Sequence, residues 1–367
     1  MKKPILTAAI LAGISSAAFA SAFTSGDIVV YETESSSTLS SAATAVDLSE
    51  FSTTGSLVES LAMPTADSGT THSLTDSGSA GSDGLLTLSP NGEYLTLAGY
   101  DASVGTTGVV SGGGNVTIGI VDGNGDINTS TSLSGLGTNN TRSAITTDGT
   151  SIWLAGSVSG NGVDYTTVGS TTATELSGSN SEEVQIFDNQ LYVSSEKSFQ
   201  IATLGSGLPT SGLQTETGLS GFGKATGDFY QFFMTNLGGG SAPDTLYVAD
   251  SSSGIEKWSL EAGVWKETGD IAFSGATGLT GTDDDGTVEL FVTSSSKLDS
   301  LTDTSGFEGT LDGSLDNLVT LSGGDDQFKG VAFAPTVAAV PEPSTWAGLL
   351  CGVVGLAGLR FRRGRKA

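Results

Sequence analysis

Between Asp27 and Pro335 the apolar residues fall into short runs separated by turns of Asp, Asn and Gly, a strand pattern with tight connections. One unit recurs: an apolar strand, a turn, and a second strand carrying an aromatic or large aliphatic pair. Its copies are Leu85–Leu97 around Asn91 and Gly92, Ser143–Ala155 around Asp148 and Gly149, and Val184–Val193 around Asp188 and Asn189. Ala242–Asp250 and Gly278–Thr293, the latter turning at Asp283, Asp284, Asp285 and Gly286, complete the series. Asn-Gly, Asp-Gly and Asp-Asn tolerate the positive φ of a two-residue hairpin loop, so each copy reads as a hairpin. The anchors Tyr94, Trp153, Tyr192, Tyr247 and Phe291 recur at about 40–60 residues, the interval of a four-stranded propeller blade with variable loops.

Two further strands follow the hairpins, as in Val116–Val121 with Ile127–Leu133, or Tyr165–Gly169 with Thr174–Leu176. The ends of this region supply the closure. Gln327–Pro335 reads as a lone innermost strand, while Asp27–Tyr31, Val46–Phe51 and Leu57–Met63 read as three strands lacking a first. Joined, they form a composite blade and leave no free sheet edge. The expected fold is an all-β propeller of six four-stranded blades over 21–335. Seven blades is the alternative, because the unit Phe222–Asp270 is long.

Composition agrees: among 367 residues there are 53 Gly, with 37% hydrophobic and 15% charged. Net charge is -26, and Ser21–Val340 holds seven basic against 39 acidic residues. Such a field repels phosphate backbones and excludes nucleic acid as a partner. The only cysteine, Cys351, lies in an apolar tail, so the body has no disulfide, thiolate metal site or cysteine nucleophile.

The two ends read as addresses. Lys2 and Lys3, an apolar run Pro4–Ile14, and Ala18-Phe19-Ala20 form a secretory signal peptide over 1–20, cleaved after Ala20 or alternatively after Ala22. The expected partners are therefore the Sec translocon and signal peptidase. At the other end, after a linker at 336–340, stand Pro341, Glu342 and Pro343, then an apolar run to Leu359, then Arg360, Arg362, Arg363, Arg365 and Lys366. The run is shorter than the roughly 20 residues of a stable span, and its basic flank belongs on the cytoplasmic side. It reads as one short transmembrane helix.

In that order and place, these three parts resemble the PEP-CTERM sorting domain of Gram-negative bacteria, whose processing is attributed to an exosortase. The resemblance covers 341–367. It implies Pro341, Glu342 and Pro343 as sorting motif, Trp346–Leu359 as a transient inner-membrane span, and the basic cluster as membrane retention signal. It implies an exosortase-type partner and delivery to the cell surface or beyond. The body resembles the propeller-like passenger domains found ahead of such tails, with Lys329–Pro335 as a familiar ending.

Candidate chemistry is sparse. Asp122, Asn124 and Asp126 place oxygen donors on alternate residues as a Ca²⁺ loop does, but Ile127 and Leu133 replace the glycine and glutamate that an EF-hand needs. Asp283, Asp284 and Asp285 concentrate charge at a hairpin tip. Both sets also suit plain turns, and Ca²⁺ is the one cofactor they would suit. Asp325 and Asp326 precede the closing strand. The only histidine, His72, lies in a loop-like stretch without an evident partner, which removes the usual serine-hydrolase triad. Gly112–Gly114 and Gly238–Gly240 lack a phosphate-loop setting. Trp153, Trp258, Trp265, Tyr100, Tyr165 and Tyr230 would either stack a sugar or fill gaps between blades. No catalytic residue emerges. The leading expectation is a non-enzymatic structural or binding component of the envelope or extracellular polymer matrix, with extracellular polysaccharide as a partner. The alternatives are a propeller enzyme, whether a Ca²⁺-assisted hydrolase or lactonase or a glycan-cleaving one, and a glycan-binding lectin. Acidic side chains converging on the channel would favour an enzyme; small apolar or hydroxyl-bearing ones would favour the structural role.

Overall fold

The computed structural model describes residues 22–136, 140–158, 161–195, 199–223 and 227–338. The segments expected to be a signal peptide and a sorting motif, together with the apolar run and the basic cluster, lie outside the described residues. The chain divides into two compact units after Thr336, and the first of them carries the fold.

Among the described residues of that unit every regular element is a strand, and six antiparallel sheets follow one another along the chain. Blade 2 comprises Thr87–Leu88, Tyr94–Tyr100, Val116–Asp122 and Ile127–Leu133; blade 3 comprises Thr141–Thr146, Ser151–Val158, Asn161–Thr167 and Thr174–Ser177. Blade 4 is Val184–Phe187, Gln190–Ser194, Ile201–Leu204 and Glu216–Gly218. Blade 5 is Phe229–Thr235, Thr245–Asp250, Gly254–Glu261 and Val264–Ala272, and blade 6 is Gly278–Asp284, Thr287–Ser294, Lys297–Asp303 and Asp316–Thr320.

Blade 1 is the expected composite. Its innermost strand is the last in the chain, Asp326–Phe333, paired antiparallel with Ile28–Glu34, which continues through Ala43–Phe51 to Leu57–Ala62. A short strand, Asp76–Ser77, extends the sheet beside Ala43 and Thr44. The long unit beginning at Phe222 is a single blade, so the count is six. The hairpin chemistry is local: Asp188 and Asn189 take φ of 47° and 58° between Phe187 and Gln190, and Asp285 and Gly286 take 52° and 84° between Asp284 and Thr287.

Each seam between blades holds its own apolar core. Blades 1 and 2 share Val29, Tyr31 and Leu48 with Leu95, Leu97 and Val121; blades 6 and 1 share Phe291 and Leu298 with Ile28, Val30, Phe328 and Val331. All five anchor residues lie on the second strands of blades 2–6, where a side chain meets the neighbouring sheet. Fully burying one such side chain contributes roughly 1.5–3 kcal/mol. Hydroxyls add latches toward the axis. Ser143 Oγ donates to Glu182 O (3.1 Å), Ser194 Oγ to Tyr230 O (2.6 Å), and Thr293 Oγ1 to Lys329 O, each reaching the next blade.

Candidate functional site

The innermost strands converge on a cavity of about 400 Å³, lined from blades 1, 2, 4, 5 and 6. Most of its lining residues are apolar, with Leu86, Phe187, Phe233, Met234, Leu279 and Phe333 prominent, while the wall surface itself is shared nearly evenly between polar and apolar atoms. Asp188 is the one ionisable residue in the lining, accompanied by Gln185, Gln231 and Thr280. The inward-facing carboxylates that would mark an enzyme do not converge here.

The cavity ends where a single side chain crosses the axis. Gln231, 2% exposed on the innermost strand of blade 5, donates through Nε2 to Leu86 O (2.6 Å) and to Glu183 Oε1 (3.1 Å). Its Oε1 accepts Val331 N at 2.8 Å. One amide thus ties blades 1, 2, 4 and 5 together. Glu183 also accepts Phe232 N at 2.9 Å, and burial pushes its carboxyl up to about 8 despite those donors. Sequence reasoning missed Gln231. Its signal is a lone amide interrupting the aromatic run Phe229–Met234, because a buried polar group persists only where its partners are supplied.

Among the described residues three basic side chains, Arg142, Lys257 and Lys329, are also buried, each in an ion pair. Arg142 pairs with Glu182 and donates to Asn180 Oδ1 (3.0 Å) and Ser181 O (3.2 Å). Lys257 sits 2.8 Å from Asp303, donates to Ser305 Oγ (2.6 Å) and Gly306 O (2.7 Å), and lies 5.7 Å from the centre of the Tyr247 ring. Tyr247 donates its hydroxyl to the same Asp303 oxygen at 2.6 Å. Lys329 sits 2.6 Å from Asp76, donates to Ser77 O (3.1 Å), and lies 6.0 Å from the Tyr31 ring centre. These cations serve the seams, and each takes a carboxylate out of the surface with it.

The sequence-derived candidates are scattered. Asp122 Oδ1 accepts Asn124 N (2.8 Å) and Asp126 N (3.0 Å), closing the turn between two strands of blade 2. Asp283 accepts Gly286 N (2.9 Å) within its own hairpin and Thr235 Oγ1 (3.2 Å) from blade 5. Asp326 pairs with Glu34 at the end of the closing strand remote from the cavity-lining residues Val331–Phe333. The aromatics are divided among seams: Trp153 is buried against Tyr165 and donates Nε1 to Pro209 O (2.7 Å), whereas Trp258 and Trp265 pack on Phe222. They form no common platform.

His72, expected to have nothing beside it, faces two carboxylates: Nδ1 lies 3.2 Å from Asp101 Oδ2 and 3.9 Å from Asp67 Oδ2. Among the described residues these three make the one group of three or more His, Cys, Asp or Glu side chains with ligand atoms mutually close enough for a metal ion.

Strand order and site together define a six-bladed β-propeller whose axis is bridged by a buried glutamine beside that cavity. No protein-family model matches the chain, and no curated protein matches it. Solved structures similar to it include dihydro-heme d1 dehydrogenase NirN, at 13% identity and a TM-score of 0.40, over 84% of this chain and 57% of that one. The Dos1 propeller is similar at 13% identity and a TM-score of 0.39, covering 64% of this chain and 61% of that one. A candidate 6-phosphogluconolactonase from Bacteroides fragilis NCTC 9343 shows 10% identity and a TM-score of 0.42, over 84% and 98% respectively. The chain thus spans little more than half of the NirN structure.

Proposed function

We propose that this chain is an exported, surface-sorted propeller that acts by binding or building, as a component of the cell envelope or the extracellular polymer matrix. The observation that carries this reading is the lining of the axial cavity. Where the inner strands converge, Phe187, Phe233, Met234 and Phe333 dominate and Asp188 is the single acid, so the lining offers no carboxylate pair for general acid–base work. The polar groups beneath, Gln231 and Glu183, are engaged in holding blades together. A recess of this size, with apolar side chains and a few polar groups in its lining, suits an amphipathic portion of a partner, with the acidic surface keeping the protein soluble.

Delivery in this reading follows the two ends. The Sec translocon and signal peptidase act at Ala18 and Ala20, and an exosortase-type enzyme acts at Pro341, Glu342 and Pro343, with Arg360–Lys366 retaining the tail. The test has two arms. Deleting 341–367 should leave a folded propeller that is no longer processed or displayed, as read by fractionation. Purified protein should show no turnover of lactone, ester or glycoside panels that depends on Asp188 or Glu183. Unchanged display would overturn the sorting half, and turnover lost in Asp188→Asn or Glu183→Gln would overturn the non-catalytic half.

A further inference from the structure

The geometry points to Asp67, His72 and Asp101 as a binding site for a divalent first-row transition-metal ion such as Zn²⁺, pinning the loop after blade 1 to blade 2. Asp67 and His72 flank a tight turn in which Ser68 and Thr71 exchange two backbone hydrogen bonds of 2.9 and 3.0 Å, bringing both side chains to one side. Asp101 comes from the next blade, immediately after Tyr94–Tyr100. His72 Nδ1 lies 3.2 Å from Asp101 Oδ2 and 3.9 Å from Asp67 Oδ2. Metal bonds of about 2.0–2.2 Å put neighbouring ligand atoms roughly 3.0–3.6 Å apart; the His72–Asp101 spacing falls in that range, and the exposed Asp67 side chain needs only a small inward shift to join it.

A second observation points the same way. His72 Nδ1 is buried and makes no hydrogen bond, although two carboxylates face it. A nitrogen so placed is aimed between the carboxylates without being satisfied by either, as a ligand to an ion among the three would be. The three side chains are also held by their surroundings. Ser73 N donates to Asp67 Oδ1 (2.9 Å), Ser73 Oγ to Asp101 Oδ1 (3.0 Å), and Ser132 Oγ to Asp101 Oδ2 (2.7 Å). His72 is fixed through its backbone, its carbonyl accepting Thr129 Oγ1 at 2.8 Å. Such outer partners orient metal ligands and raise affinity.

The donor set selects the ion. An imidazole with two carboxylates suits zinc and its neighbours, whereas Ca²⁺ takes six to eight oxygens. Asp67 is 61% exposed and His72 29%, so one side is open for water to complete the coordination.

Calorimetric titration of the chelator-stripped full-length protein with Zn²⁺ tests the site, with Co²⁺ absorption as a second readout. One ion should bind per chain and resist a large excess of Ca²⁺. Asp67→Asn and His72→Gln should each weaken binding at least about tenfold, while Asp122→Asn and Asp284→Asn leave it unchanged. The nitrogen-sensitive Co²⁺ bands should vanish in His72→Gln. Asp67 is exposed enough that its variant keeps the fold, and it decides the matter if the histidine variant misfolds. Absence of saturable binding, displacement by Ca²⁺, or equal binding by wild type and Asp67→Asn would overturn the site.

Discussion

Two seams of the ring are built from the same three residue types and reach opposite electrostatic states. Between blades 5 and 6, Lys257, Tyr247 and Asp303 meet one to one to one. Although burial pushes Asp303 up, Lys257, Ser305 and Tyr247 outweigh it and hold the carboxyl down to about 2. Between blades 1 and 2, Lys329 and Tyr31 face two acids. Lys329 contacts Asp76, and Asp83 accepts the Tyr100 hydroxyl at 2.9 Å with its other oxygen unpartnered. Burial pushes Asp83 up to about 7, Asp76 adds to the push, and Lys329 opposes it. A buried lysine neutralises one carboxylate well; the second turns a seam into a proton-sensitive joint.

The comparison can be broken most forcefully at the lysines. Lys329→Met should lower stability by about 3–5 kcal/mol, since it strips Asp76 of its ion-pair partner and leaves Asp83 to Tyr100 and the more distant Arg142, and Lys257→Met should fall at the lower end of that range. Denaturant midpoints read the difference; equal losses would show that the extra acid carries no weight.

Next in size is the response to pH. Asp83 and Glu183, raised to about 7 and about 8, bind protons in the folded state that the unfolded chain has released. Their contribution is fully present below the ordinary carboxylate range and is lost as pH rises through those values. Each can shift stability by up to about 1.4 kcal/mol per pH unit in that window, so the ring should melt higher at pH 5.5 than at pH 8. Asp303 runs the other way: its contribution is present above the ordinary range and is lost only as pH falls through about 2. A melting temperature that rises between pH 5.5 and 8 would reverse the assignment.

The smallest effect isolates the joint. Asp83→Asn keeps an acceptor for Tyr100 and removes the second charge, so it should change stability by about 1 kcal/mol or less at pH 5.5 and stabilise at pH 8. Paired melts at the two values check this, and an Asp83→Asn curve parallel to wild type would assign the pH response elsewhere.

Most of the ring could be read from the chain because its blades are local. Asn91-Gly92, Asp148-Gly149 and Asp188-Asn189 mark hairpins whose partners lie a few residues apart, and an aromatic or large aliphatic on the second strand follows from packing against the next sheet. The composite blade was legible because a lone strand at one end and an incomplete set at the other need each other. The seams and the His72 cluster were not legible. Lys329 meets Asp76 across 253 positions, and Asp101 reaches the His72 loop from another blade. Proximity of that kind depends on how closed sheets sit side by side, which no local spacing encodes. Gln231 left a trace only as a polar interruption.

The closing strand also sets a clock. Ile28–Glu34 is made early, yet its partner Asp326–Phe333 is the last strand of the ring to be made. At about 5–20 residues per second, the first strand waits roughly 15–60 s with a bare edge, while Asp76 stays without its lysine. Until Phe333 emerges, the nascent protein is an open row of five sheets and a fragment, and its exposure to wrong pairing is greatest just before completion.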